Sequence, residues 1–415
     1  MSQGRAALLA SGVEWRLLSG LVAIQAAISL AWVVYNIYMP DLLKQFGFDP
    51  AFGLTLLTIE NFIAAFMEPI MGGLSDRQKQ NLGSSVPLIV AGIIFASAFF
   101  MAIPAVTIFG NPQSMVRWLL PAFALVWATA MAIFRSPAIA LLGQCARGSN
   151  LAQAFSVLTL TGGAIGALKP LADRFIFSFG AATAFTVSSL AFLAAATLLR
   201  FVKSSIPTSD AATRNRTESC PSLQTIVPQL LLLGLLGISI AWSMRLAIGE
   251  TLPRLIQLEI AGANLQLWMG AIAIGLAVFA IPAGWLAAKL GNELVTASGC
   301  LGAALLLGLM SIVHGAIATI VSIALLLACL SAVINGTIPL ALTATPKSWN
   351  GLGVGIYYGG TAAVASIFSL IFPLPERTIA FSSSITMAAI ALMGSAIVIA
   401  IVNRLKSLLQ EQLVL

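Results

Sequence analysis

The chain has 415 residues, of which 59% are hydrophobic and only 8% charged, with a mean hydropathy of +0.99. An ordinary soluble domain carries about 25% charged residues, so this composition excludes a soluble globular protein and predicts a membrane protein. The net charge of +7 follows from membrane sidedness, as shown below, and requires no nucleic-acid partner.

The first residues, MSQGRAALLASGVEWR, hold Arg5 and Arg16 but no Ala-x-Ala cleavage site after a short apolar core. The first long apolar run keeps Gln25, Tyr35 and Asn36, so we expect a retained helix and not a signal peptide. A helix needs about 20 residues to cross the hydrocarbon core. In chain order the predicted spans of the first half are 17–39, 51–74, 84–106, 117–143, 151–171 and 176–200. A polar segment at 201–224, FVKSSIPTSDAATRNRTESCPSLQ, has the composition of a flexible linker. The second half predicts spans 225–248, 264–288, 293–313, 315–342, 350–373 and 378–402. Breaks are marked by Pro40-Asp41, Asp49-Pro50, Asn111-Pro112, Lys169-Pro170, Pro346-Lys347, and Pro373 with Pro375. The expected organisation is therefore a six-helix bundle at 1–200, a linker at 201–224, and a second six-helix bundle at 225–415.

Lys and Arg in short loops set orientation. With both termini cytoplasmic, the inner side holds Arg5, Arg16, Arg77, Lys79, Arg147, Arg200, Lys203, Arg214, Arg216, Lys289, Lys347, Arg404 and Lys406, against Lys44, Arg117, Lys169, Arg174, Arg254 and Arg377 outside. This bias predicts cytoplasmic termini. Cys145, Cys220, Cys300 and Cys329 lack paired spacing, His314 is the only histidine, and no GxxxxGK[ST] loop is present. Neither a metal site, a cofactor nor an enzyme activity is predicted, and ATP-driven transport is disfavoured.

The two halves carry a faint repeat. PIMGGLSDR, from Pro69, matches IPAGWLAAK, from Ile281, so that Gly72, Leu74 and Arg77 fall on Gly284, Leu286 and Lys289. YMPDLL at Tyr38 similarly matches TLPRLI at Thr251, and SPAIAL at Ser136 matches TIPLAL at Thr337. Parallel repeats of six helices occur in transporters. At the first of these sites Gly72 and Gly73 allow helices to approach closely. Asp76 is placed to accept hydrogen bonds from a neighbouring helix N-terminus, and Arg77 to anchor on carbonyls or headgroups. A contact made in one conformation and broken in another acts as a latch. A plain topogenic basic loop accounts for the same residues.

With twelve spans, a central linker, G-x-L-x-D-R after span two and a degenerate copy after span eight, the whole chain resembles the major facilitator superfamily. Lys79, Gln80 and Asn81 replace the family's later glycine and basic pair. The run ARGSNLAQAFS from Ala146 is similar to the family's loop between helices four and five, which would add Arg147 to the inner latch. The resemblance implies an all-α membrane fold of two pseudo-symmetric bundles rocking about a central cavity lined by the first, fourth, seventh and tenth helices. The cytoplasmic gate expected from it comprises Glu68, Gly72, Gly73, Asp76, Arg77, Arg147 and Lys289.

Ionised groups near the bilayer centre cost at least ~2.5 kcal/mol, so each needs a partner, water or a proton. Glu60 and Glu68 lie in span two, Arg135 in span four, and Arg245 near the outer end of span seven. Glu60, at mid-depth, is the candidate proton-coupling group; a structural ion pair with Arg135 is its alternative. Glu68, just before Pro69 and the glycine-rich turn, suits gating or helix packing. Arg135 can present several donors to substrate oxygens, and Arg245 can bind substrate, pair with Glu250 or reach the headgroups. Gln25, Tyr35, Asn36, Asn335, Tyr357 and Tyr358 complete the expected substrate cavity, and Gln153 is a further polar group in span five. Gly162, Gly163, Gly166 and Pro170 read as small-residue packing of span five.

Within the superfamily, Glu68-Pro69 before G-x-x-S-D-R and the run FRSPAIALLGQ resemble the sucrose and glycoside cation symporters. That branch's acidic residue after the helix-four run is replaced here by Gln144 or Cys145. The function expected is a proton-coupled secondary transporter of a small polar solute such as a glycoside, monomeric in a lipid bilayer, expected to be a bacterial inner membrane. An exporter of amphipathic or anionic compounds and a non-transporting receptor or assembly factor are the alternatives.

Overall fold

A computed structural model describes residues 12–110, 114–146, 148, 150–204, 223–372 and 379–414, without the side chains of Ser204 and of residues beyond Lys406. The linker expected at 201–224 falls mostly outside these residues, as does Arg147.

The described chain is helical nearly throughout, as lipid demands, because a segment without water must satisfy its own backbone donors and acceptors. Its helices are α1 (Trp15–Gln45), α2 (Pro50–Leu82), α3 (Val86–Phe109), α4 (Leu119–Ala140), α5a (Asn150–Gly166), α5b (Leu168–Ser178) and α6 (Ala181–Ser204). The second half has α7a (Leu223–Met244), α7b (Leu252–Glu259), α8 (Leu265–Leu290), α9 (Asn292–Leu309), α10 (Ala316–Ala344), α11 (Asn350–Ile371) and α12 (Phe381–Val414). A π-helical stretch, Arg245–Thr251, joins α7a to α7b. Eleven described helical stretches are each long and apolar enough to cross a membrane, and the bent pair α5a–α5b makes a twelfth.

Local chemistry fixes the ends. The Asp49 carboxylate accepts a 2.7 Å hydrogen bond from the Ala51 amide, with Pro50 at the first helical position of α2. At the other end Gly83 adopts φ 76°, the left-handed conformation that terminates helices. Several helices exceed their predicted spans, α1 running to Gln45 and α2 to Leu82. Hydropathy marks only the part crossing hydrocarbon, whereas backbone bonding continues into polar sequence. For the same reason Pro40, expected to end the first helix, lies inside α1. The expected fifth span, 151–171, is two helices bent by 49°, with Ala172 at non-helical φ −133°.

The halves repeat one packing scheme. In the first, α1 meets α5a and α6, α2 meets α4, and α3 meets α4 and α6. In the second, α7a meets α11 and α12, α8 meets α10, and α9 meets α10 and α12. Two major seams join the halves, α2 on α11 and α5a on α8. Along α2, Phe62, Phe66, Ile70 and Leu74 point outward while Glu60, Glu68, Ser75 and Asp76 are buried. Apolar outside and polar inside is the arrangement of a helix between lipid and a polar interior. The protein is a multi-pass integral membrane protein of two pseudo-symmetric six-helix bundles.

Candidate functional site

The seam between α2 and α11 is a backbone-to-backbone contact. Gly351, Gly355 and Gly359 recur every fourth residue on one face of α11. A Cβ on Gly72 would meet the Gly351 carbonyl, and one on Gly355 would meet the Glu68 carbonyl. Pro69 cannot donate to the Ala65 carbonyl, and Gly359 packs against that oxygen, where a Cβ would lie 2.7 Å from it. Beyond these glycines the Asp76 carboxylate accepts hydrogen bonds from the amides of Gly351 (2.9 Å) and Leu352 (2.8 Å). These are orphan donors of the first turn of α11, and the helix dipole adds to the attraction. Gln80 adds a 3.1 Å bond to the Ser348 carbonyl. Gln80 occupies a place where the sequence leaves the family pattern, and nothing in that pattern pointed to it.

Of the other expected gate residues, Gly73 makes ordinary contact with the Leu352 side chain, and Arg77 is exposed with no polar partner among the described residues. Lys289 lies 3.8 Å from the ring centroid of Trp285 on its own helix.

Glu68 turns to α4. Its Oε1 lies 2.6 Å from both Nε and Nη2 of Arg135, and its Oε2 accepts a bond from the Ser136 hydroxyl. Arg135, partly exposed, in turn lies 4.8 Å from the Tyr358 ring centroid of α11, so the ion pair joins α2, α4 and α11. Arg135 therefore does not pair with Glu60. The Glu60 carboxylate accepts a bond from the Tyr35 hydroxyl through Oε1, while its buried Oε2 has no partner among the described residues. Tyr35 stacks on Trp127 at 4.7 Å and meets Trp32 edge-on at 5.7 Å.

Between the halves lies a cavity with both polar and apolar walls. Its deep chamber, about 370 Å³, is lined by Gln25, Ser29, Trp32, Asn36, Arg135, Lys169 and Tyr358, among others. A vestibule of about 810 Å³ shares Asn36, Gly166 and Lys169 with the chamber and widens toward Asp41, Asp173, Arg174 and Gln266. That is the end opposite the Asp76 seam. Glu60 and Tyr35 stand behind Trp32 and do not line the chamber.

Four expected cavity residues, Gln25, Asn36, Arg135 and Tyr358, come together here. Gln25 donates to Ser29 at 3.3 Å and lies against Gly162, where a Cβ would crowd its amide nitrogen at 2.8 Å. Tyr357 and Asn335 are buried in the packed interior, Asn335 donating to the Ser331 carbonyl at 2.8 Å. Arg245 lies 5.6 Å from the Phe368 ring centroid and away from the chamber. It does not pair with Glu250, which binds Arg254 at 2.8 Å. One helical turn separates Glu250 from Arg254, the i, i+4 spacing that favours an ion pair.

Lys169, Trp32 and Ser29 were not singled out by sequence reading. Lys169 counted there only as an outer-loop charge. The break after Gly166 carries it to the junction of chamber and vestibule, and the signal for this was the Lys169-Pro170 pair following Gly162, Gly163 and Gly166.

In comparisons with solved structures, the chain is similar to a bacterial homologue of the iron transporter ferroportin in an outward-facing state (TM-score 0.71, 16% identity, 94% of this chain and 99% of that one). It is also similar to the fucose:proton symporter of E. coli (0.67, 13%, 93% and 98%) and to a human organic anion transporter (0.66, 13%, 95% and 99%). At such identities the likeness shows the fold alone. No curated protein matches the chain in sequence. The family model described as Major Facilitator Superfamily matches residues 21–370. With that match spanning most of the sequence, the chain belongs to the Major Facilitator Superfamily of membrane transporters.

Proposed function

We propose that the protein is a proton-coupled secondary transporter that moves a small polar solute by alternating access, acting as a monomer in a bacterial inner membrane with both termini cytoplasmic. The observation that carries this reading is a chamber between the two halves, reached from one end and sealed at the other by Asp76 on the amides of Gly351 and Leu352. The distribution of Lys and Arg supports a cytoplasmic sealed end, with the vestibule on the outer side. The cavity forms within a single chain.

Trp32 and Tyr358 offer apolar ring faces, and Gln25, Ser29 and Asn36 offer hydrogen bonds, a combination that orients small ligands with a ring. Glu60 is the proton carrier in this reading. Its carboxyl is buried one aromatic layer from the chamber, and the Tyr35 hydroxyl connects it to that layer. Glu68 is less suited, because Arg135 and Ser136 already hold it.

The test is uptake into proteoliposomes of a solute chosen by thermal-shift screening of sugars and organic anions at two pH values. An inward proton gradient should drive accumulation. Glu60→Gln should abolish that accumulation yet preserve counterflow exchange. Uptake indifferent both to the gradient and to Glu60→Gln sinks the coupling.

A further inference from the structure

The charges around the chamber are one-sided. Arg135 and Lys169 both line it, and among the described residues no carboxylate does. Glu68 lies behind Arg135 and is fully buried. The vestibule does carry Asp41 and Asp173, but Asp173 is turned to Gln266 at 2.9 Å and to the Arg174 amide at 2.7 Å.

Glu68 balances the charge of Arg135 but not all of its donors, and Lys169 has no such counter-charge among the described residues. Arg135 gives Nε and Nη2 to Glu68, which leaves Nη1 without a hydrogen-bond partner among the described residues. Lys169 has no carboxylate within 4.0 Å among them. A neutral solute would leave Lys169 without a counter-charge and gain nothing from it beyond a hydrogen bond. An anion would engage both cations, the guanidinium through directed donors and the ammonium as a point charge. Room is adequate for a small molecule, since about 370 Å³ lies at the low end of ligand cavities.

We propose that the transported solute is a small organic anion, its carboxylate met by Arg135 and Lys169 and its ring resting against Trp32 and Tyr358. This rests on the transporter reading above and narrows it from polar solutes in general to sugar acids or aromatic acids. Lys169 is a specificity-determining residue in this arrangement, placed by the break between α5a and α5b where the solute enters.

Two matched pairs test it by calorimetry on the purified full chain: glucuronate against glucose, and benzoate against benzamide. At least one anion should bind about tenfold more tightly than its neutral partner, with a preference that shrinks as salt rises. Lys169→Gln should weaken that anion about tenfold, while Lys169→Arg, which keeps the charge, should stay within about threefold. Lys169 is exposed, so an unchanged melting temperature will show that Lys169→Gln is folded. The proposal is overturned if neither anion binds, if the neutral partners bind equally well, or if Lys169→Gln leaves affinity unchanged. Counterflow in proteoliposomes separates the two readings. An anion that binds with this selectivity but never exchanges leaves the site standing and removes transport; exchange of neutral solutes alone does the reverse.

Discussion

Gly72 and Gly284 stand at matching places in the two halves, and each marks a point where its helix meets a helix of the other half with no room for a side chain. A Cβ on Gly72 would meet the Gly351 carbonyl of α11; one on Gly284 would meet the Ser156 hydroxyl of α5a at 2.6 Å and the Ala152 carbonyl at 2.9 Å. The weak sequence match between PIMGGLSDR and IPAGWLAAK thus corresponds to two equivalent seams.

Alanine at these glycines should loosen the sealed end, unequally. Overpacking costs typically ~1–3 kcal/mol. At Gly72 all three nearest atoms are backbone of α11 and the approach is closer, whereas at Gly284 the nearest are the Oγ and Cβ of Ser156, with the Ala152 carbonyl next at 2.9 Å. Spin-label distances across the sealed end should show a larger open fraction for Gly72→Ala than for Gly284→Ala. The reverse order would count against the seam geometry.

Asp76→Asn keeps one acceptor oxygen but loses the charge, and Asp76→Ala loses both bonds. Hydrogen bonds to charged groups contribute about 1.5–3 kcal/mol and a helix dipole about 0.3–1 more. Labelling of a cysteine introduced at Gly351's end of α11 by a reagent supplied from the cytoplasmic side should rise in the order wild type, Asn, Ala. Equal labelling in all three would show that the contact does not hold the end shut.

The Glu68–Arg135 pair should behave as a unit. Removing one partner of a buried ion pair costs about 3–5 kcal/mol, a figure that fits loss of Arg135, which strands the fully buried Glu68, better than loss of Glu68, which leaves a quarter-exposed Arg135. Arg135→Ala should lower thermal stability in detergent markedly and Glu68→Ala less so, and the double variant should lose clearly less than the sum of the two. Strict additivity would deny the pairing.

Much of the fold was legible because the bilayer imposes a simple length rule, and twelve apolar runs announced themselves. The bond from Asp76 to a helix N-terminus could also be anticipated, since a carboxylate after a close-packed glycine pair has few other uses. The partner of Arg135 could not. Glu60 and Glu68 sit on the same helix eight residues apart, and only the packing of α4 on α2 decides which of them meets the guanidinium.

Lys169 was hidden for a different reason. Loop charges are read as orientation signals, and a cation at the end of a predicted span is counted with them by default. The bend at the centre of the fifth crossing changed its neighbourhood without changing anything in the local composition. Arg245 was ambiguous for the opposite reason: a cation inside a span invites a functional role, and the structure places it beside Phe368 in a π-helical stretch.

The two seams also differ in kind. Where the first repeat has Asp76, the second has Ala288, so the second seam has no counterpart of the carboxylate that binds the start of α11. If the halves rock, such unequal edges predict an uneven opening, in which the α5a–α8 edge parts before the α2–α11 edge and the halves swing like a door.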